Sequence, residues 1–329
     1  MRRARISSVG GYVPPGVLTN DDLSKMVETN DKWIVERTGI RERHIADAHT
    51  ATSDMAILAA QEALERRGIA ASEIDAIILC TVTPDMQFPA TACLVQERLG
   101  ATKAWGFDLS AACSGFLYGL TTAAHLVAAG THRYVLVVGA DTMSRILDYQ
   151  DRATCILFGD GAGAFLVEPA NEGEDIGFIG HLNQIDGSGA ESLCMPAGGS
   201  RLPSSADTVA NRLHYVKQEG NQVFKFAVRK MQEVCEEVLV RNGFSGSDVK
   251  LLIPHQANRR IIMATAERLG LPLEQVIINL DRYGNTTAAT IPLATRDAVC
   301  SGKLEKGDLV LFAAVGAGYT AGAVLWRWG

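Results

Sequence analysis

Large rings are scarce in this sequence: Phe, Trp and Tyr make up 6% of the 329 residues, while 47% of positions are hydrophobic and 32 are glycine. The apolar mass is therefore carried by Ala, Val, Leu and Ile, which suits closely packed layers. A dominant charge sign is also lacking. Lys and Arg number 31 against 37 Asp and Glu, for a net charge of −6, and this balance argues against a whole-molecule electrostatic footprint for nucleic acid while leaving room for a local basic patch. Seven cysteines (Cys80, Cys93, Cys113, Cys155, Cys194, Cys235, Cys300) contain no CxxC pair and form no Cys/His cluster at zinc spacing. An odd count in apolar segments predicts a reducing, cytoplasmic setting with mostly buried thiols and no metal site.

A secretory signal is not expected, because the start MRRARISSVGGYVPP is broken by serines, glycines and two prolines. Leu109 to Thr131 and Leu309 to Trp326 are free of charge, but their many Gly, Ser and Thr residues predict the interior of a soluble protein and not a membrane span.

What is present is an echo between the two ends of the chain. Glu97-Arg98-Leu99-Gly100 recurs as Glu267-Arg268-Leu269-Gly270, an offset of 170. SEIDAIILCT from Ser72 matches SDVKLLIPHQ from Ser247, and WGFDLSAAC up to Cys113 matches VIINLDRYGN up to Asn285. Val135 to Gly139 matches Val310 to Ala314, at an offset of 175. The repeated unit reads strand, helix, strand, helix, strand, which predicts α/β layers with right-handed crossovers. SGFLYGLTTAAHLVAAG after Cys113 is apolar on all sides and predicts a buried helix. Each repeat thus contributes a helix to a central layer flanked by sheets, and the expected division is residues 1–171 and 172–329.

Cys113 stands where an apolar strand meets that helix, among small neighbours. The positive end of a helix dipole favours a thiolate there, so Cys113 is the candidate nucleophile. His255 follows a strand ending at Pro254 and is held rigidly, as a catalytic base or donor must be. Asn285 occupies nearly the position in the second repeat that Cys113 has in the first. A dinucleotide site is not expected. Gly159 to Gly163 lacks GxGxxG spacing, and the run from Gly316 leaves too little chain for a Rossmann unit. Glycines beside strand ends instead let backbone N–H groups approach a ligand, as an oxyanion hole requires.

Together DLSAACSGF at Cys113, PHQANRR at His255, GNTTAAT at Asn285, FGDGAGA from Phe158 and VGAGYT from Val315 resemble β-ketoacyl-acyl-carrier-protein synthase III, the initiating condensing enzymes of type II fatty acid synthesis in the thiolase superfamily. The resemblance implies a thiolase-like α/β fold of duplicated αβαβα halves in five layers. It also implies decarboxylative condensation of a short acyl-CoA, acetyl-CoA being the expected primer, with malonyl-ACP, without metal or redox cofactor. Cys113 would carry the acyl group, its oxyanion held by the N–H groups of Cys113 and Ala317, while His255 and Asn285 would donate to the malonyl thioester oxygen. CoA would meet Trp33, Arg37, Arg152, Gly220 and Asn221, with its adenine between Trp33 and Arg152. Phe88 from a second subunit, with Met143 and Phe158, would shape the acyl pocket of a homodimer. The acidic carrier protein would dock on Lys225, Gln256, Ala257, Asn258, Arg259 and Arg260. The competing expectations are a relative using a dicarboxylic or secondary-metabolite primer, an acyltransferase without condensation, and a noncatalytic acyl-CoA or carrier-protein binding subunit.

Overall fold

The structure is a computed structural model and describes residues 3–329. Its main elements are β1 (Ala4–Tyr12), α1 (Asp31–Thr38), α2 (Thr52–Arg67), β2 (Ala76–Cys80), α3 (Thr91–Leu99), β3 (Trp105–Leu109), α4 (Gly115–Ala128), β4 (Val135–Asp141) and β5 (Gly161–Pro169). They are followed by β6 (Gly177–Ile185), α5 (Gly220–Arg241), β7 (Leu251–Pro254), α6 (Arg259–Arg268), α7 (Thr290–Cys300), β8 (Leu309–Gly316) and β9 (Thr320–Arg327). One mixed sheet has the order β1-β5-β4-β2-β3, and the other β7-β8-β9-β6. Within them β2 runs parallel to β3 and β4, and β7 runs parallel to β8; the remaining pairs are antiparallel.

Strands buried on both faces read as continuous apolar runs, and alternate residues then serve different layers. Along β4, Val135 and Val137 face a central core shared with α4 and α7, whereas Leu136 and Val138 face an outer core with α2 and α3. Along β8, Val310, Phe312 and Ala314 point into the central core, and Leu311 and Ala313 into an outer core with α5 and α6. The molecule therefore has five layers: helices, sheet, the central pair α4 and α7, sheet, helices. Both uncharged windows are largely interior, the first with Ser110, His125 and its end from Ala129 to Thr131 exposed. The first contains α4, and the second is the β8–β9 hairpin. Among the described residues no helix is long and apolar enough to cross a membrane.

The echo in the sequence corresponds to matched positions in the two sheets. β2 matches β7, and β4 matches β8. The second counterpart of β3 is not a strand, contrary to expectation: only Val276 bridges to Leu252, and the chain then enters a short helical turn at Leu280. The cause is the Gln256 side chain, whose amide donates to Ile277 O at 2.9 Å while its Oε1 accepts from Asn279 N–H at 3.0 Å. A side chain thus satisfies the main chain where a ladder would otherwise continue. Four of the seven cysteines, Cys80, Cys113, Cys155 and Cys235, are buried as expected, whereas Cys93 and Cys300 are exposed and Cys194 is partly exposed.

Candidate functional site

Cys113 lies in a single 3₁₀ turn, Ala112–Ser114, between β3 and α4. Its predecessor Ala112 has φ +48°, a left-handed conformation costly for a residue with a Cβ, and one that turns the chain sharply at Cys113. The matching turn before α7, Thr287–Ala289, starts with Thr287 at φ +49°. The counterpart of Cys113 in the second repeat is therefore Ala288, and Asn285 stands three residues before it. Gly139 on β4 permits this second turn to lie against the first sheet, because a Cβ there would meet Ala288 O at 2.3 Å.

The expected thiolate is not the resting form. Burial pushes the Cys113 thiol up to about 12, and the Asp141 carboxylate adds to the effect. A helix N-terminus contributes only a fraction of an elementary charge, and desolvation of this deeply buried residue outweighs it.

His255 leaves β7 with its N–H donating to Ala313 O at 2.7 Å. Its ring is 2% exposed, and burial pulls its pKa down to about 3, so the imidazole is neutral at physiological pH. Ring Nδ1 lies 2.7 Å from Thr290 Oγ1. Asn285 is fixed by its main chain, which bonds Leu157 O and Gly159 N–H, and by its side chain, whose Oδ1 accepts from Thr287 N–H at 2.9 Å. Because a main-chain N–H only donates, this bond also identifies the two ends of the amide, leaving the Asn285 NH₂ as the outward donor.

Beneath these groups lies Asp141, a fully buried carboxylate that sequence reasoning missed. It accepts from Thr81 and Thr83 hydroxyls and from Val82 and Thr83 N–H on the first-repeat side. On the second-repeat side it accepts from the Thr287 hydroxyl and Ala288 N–H. Burial raises its pKa, and the surrounding donors oppose the shift. The sequence signal was weak, since Asp141 and Thr287 are 146 residues apart. Thr287, Thr290, Gly316 and Tyr319 lay inside the motifs quoted above but carried no assigned role.

Cys113, His255 and Asn285 line one cavity of about 300 Å³, together with Phe158, Gly220, Asn221, Ala257, Asn258, Arg37 and Arg260. Its wall also includes Phe224, Phe226 and Tyr319, none of them anticipated; Phe226 and Tyr319 stack with centroids 4.0 Å apart. Gly316 presses on the Cys113 turn, and a Cβ there would lie 2.8 Å from Cys113 N. Ala317 follows it in the same β8–β9 connection. Met143 is buried against Phe158 and does not line the cavity. Phe88 is elsewhere and 84% exposed.

Arg37 and Arg152 lie over the Trp33 ring at 4.6 and 4.9 Å from its centroid. That spacing leaves no slot for a base between Trp33 and Arg152, which would need roughly 7 Å, two contact distances. An adenine entering there has to displace the exposed Arg152 from the ring and from Glu28 O, to which it donates at 2.8 Å. Lys225, Arg259 and Arg260 are exposed, and Arg260 lies 4.6 Å over Phe224 at the cavity wall. Arg259 lines a separate, more open cleft of about 950 Å³ that holds none of Cys113, His255 and Asn285. Asn258 caps α6 by accepting from Arg260 N–H, and its amide donates to Arg37 O. Gln256 has no place in a carrier-protein surface: it is 0% exposed, with its amide group committed inside the fold.

Two family models match the chain: 3-oxoacyl-[acyl-carrier-protein (ACP)] synthase III over residues 107–184, and the C-terminal model of the same family over 239–328. The chain is 69% identical to the beta-ketoacyl-[acyl-carrier-protein] synthase III of Solibacter usitatus, with 100% of this chain and 99% of that protein covered. It is 57% identical to that of Koribacter versatilis, with 100% and 98% covered. Among solved structures, 3-oxoacyl-[acyl-carrier-protein] synthase III from Aquifex aeolicus matches with a TM-score of 0.90 at 46% identity, covering 99% of this chain and 100% of that one.

Proposed function

The chain belongs to the 3-oxoacyl-[acyl-carrier-protein] synthase III family, and from that premise we propose that Cys113, His255 and Asn285 divide its condensation between them. The enzyme is an acyltransferase that joins an acyl-CoA primer to malonyl-ACP, giving 3-oxoacyl-ACP, CoA and CO₂ at the start of fatty acid synthesis. The observation that carries the residue assignment is the common cavity: a sulfur, a neutral imidazole and an oriented amide, drawn from both repeats, face one enclosed space.

In the first half-reaction Cys113 Sγ attacks the acyl-CoA carbonyl, and its proton leaves with the CoA sulfur. Main-chain N–H groups of Cys113 and Ala317 receive the oxyanion, with Gly316 as the spacer that keeps the approach open. In the second, the C–C bond to the malonyl carboxylate breaks and its electron pair becomes the enolate of the thioester. His255 and Asn285 donate to that enolate oxygen, so their interaction strengthens as charge develops. The carbanion attacks the acyl-Cys113 carbonyl, and Cys113 leaves as thiolate to be reprotonated. A neutral histidine suits this task, because a cation in the resting site would hold the malonate carboxylate and not the transition state.

The CoA nucleotide is assigned to Trp33, Arg37 and Arg152, its pantetheine arm to Gly220 and Asn221, and the acidic carrier protein to Lys225, Arg259 and Arg260 beside Ala257 and Asn258. A cavity of about 300 Å³ is at the small end of ligand sites and must also admit the pantetheine end, which favours a short primer beside Phe158, with Met143 packed behind that ring. The homodimer is supported by two exposed features: β3 is an open sheet edge whose Trp105 is 48% exposed, and Phe88 is 84% exposed. Purified protein given malonyl-ACP and a panel of acyl-CoAs should release CO₂ and form 3-oxoacyl-ACP with short acyl chains. No turnover with any of them would overturn the reading, and a monomer at micromolar concentration would overturn the dimer.

A further inference from the structure

His255 is neutral, so only one of its two ring nitrogens carries a proton, and which one decides whether the nitrogen facing the cavity donates or accepts. The enclosed nitrogen, Nδ1, has Thr290 Oγ1 at 2.7 Å. That hydroxyl has one proton and two acceptors within reach, His255 Nδ1 and Thr287 O at 3.0 Å. Thr287 O already accepts the Thr290 main-chain N–H, whereas a bare Nδ1 would have this hydroxyl as its partner. The shorter contact is also the one to the ring. We infer that Thr290 is a positioning residue that directs its hydroxyl proton to Nδ1 and thereby fixes His255 as the Nε2–H tautomer, the donor that the condensation step requires.

The inference rests on the proposed condensation and adds its missing control. Asn285 receives its orientation from Thr287 N–H, and His255 receives its tautomer from Thr290, one turn further on. A single corner, strained at Thr287 and tied down by Asp141, therefore prepares both donors. No proton moves when the enolate forms: Nε2–H and the Asn285 NH₂ donate and keep their protons. The opposite tautomer would present a lone pair to the developing oxyanion and repel it. Thr290→Val keeps the shape of the side chain and removes the hydroxyl, and Thr290→Ser restores the hydroxyl.

The test is ¹⁵N NMR of ring-labelled histidine in the full chain, with the His255 signals identified by their loss in His255→Gln, alongside separate rates for the two half-reactions. Wild type and Thr290→Ser should carry the proton on Nε2. Thr290→Val should lose that single tautomer and slow condensation by about 10²-fold, the scale of losing one oxyanion donor, while acylation of Cys113 stays within about threefold. A wild-type proton on Nδ1 overturns the inference, as does equal slowing of both half-reactions in Thr290→Val. Should Thr290→Val not fold, the tautomer in wild type and the activity of Thr290→Ser decide the matter. Absence of condensation in wild type would instead overturn the proposed reaction, and the ring spectrum would still report on Thr290.

Discussion

Replacing Gly316 by alanine tests the proposed role of the Cys113 turn most directly. The added methyl would sit 2.8 Å from Cys113 N, 2.8 Å from Thr320 Oγ1 and 3.1 Å from Ser114 N. Carbon contacts become attractive near 3.5 Å, so the methyl is roughly 0.7 Å too close to two of these atoms. Neither neighbour yields easily. Cys113 N belongs to a turn closed by the Ser114 N–H to Ala111 O bond, and the Thr320 hydroxyl is held by the same carbonyl at 3.0 Å. The distance to Cys113 N is also the distance at which an oxyanion accepts from a main-chain donor. The methyl therefore either occupies that space or displaces the donor. Loss of one such donor costs about 10²- to 10³-fold, or about 2.7–4 kcal/mol of transition-state stabilisation. In the proposed mechanism an acyl-Cys113 carbonyl takes part in both half-reactions, so both should slow together. Overpacking of this kind costs about 1–3 kcal/mol of stability, which lowers Tm by a few degrees without unfolding the chain. The assay is the single-turnover rate of Cys113 acylation by acyl-CoA, followed by intact mass, with Gly187→Ala as control because a Cβ there meets nothing within 4 Å. Acylation within about threefold of wild type would refute the reasoning.

Three further outcomes are expected. Iodoacetamide should modify Cys113 slowly at pH 7 and about tenfold faster for each pH unit up to 10, since burial pushes the thiol up to about 12; the alkylated fraction of the Cys113 peptide, followed by peptide mass mapping against pH so that the exposed Cys93 and Cys300 are counted apart, checks this, and a plateau below pH 8 contradicts it. Gln256→Ala should lower Tm, with about 2–4 kcal/mol lost through orphaned main-chain groups, while leaving KM for malonyl-ACP unchanged below the melting range; a raised KM with unchanged Tm would return Gln256 to the docking surface. Trp33→Ala should raise KM for acyl-CoA about tenfold with kcat within about twofold, and a kcat defect alone would remove Trp33 from the CoA site.

The reach of the sequence depended on how far apart the interacting residues lie. The convergence of Cys113 and His255 on one cavity was legible because each follows a strand within one local motif, and the echo at offsets of 170 to 175 foretold the paired sheets and central helices. The Asp141 network was not legible, because its donors come from Thr81 to Thr83 and from Thr287 and Ala288, and no local pattern links them. Gln256 was misjudged for the opposite reason. Its neighbours Asn258, Arg259 and Arg260 are surface or cavity residues, and adjacency in sequence suggested a common role that the turn after β7 denies. The helix dipole argument at Cys113 was sound in sign but too small, since burial, which a sequence does not report, dominates.

The double use of Asp141 bears on synthesis. When β5 has left the ribosome, the carboxylate has its first four donors but lacks Thr287 and Ala288, and α4 lacks α7 beside it. The 131 residues from there to Cys300 follow at about 5–20 per second, so the leading part of the chain spends roughly 7–26 s with half of its central layer uncovered. Chaperone occupancy of stalled nascent chains should accordingly persist until Cys300 has emerged, and translation speed over the second repeat becomes a determinant of yield.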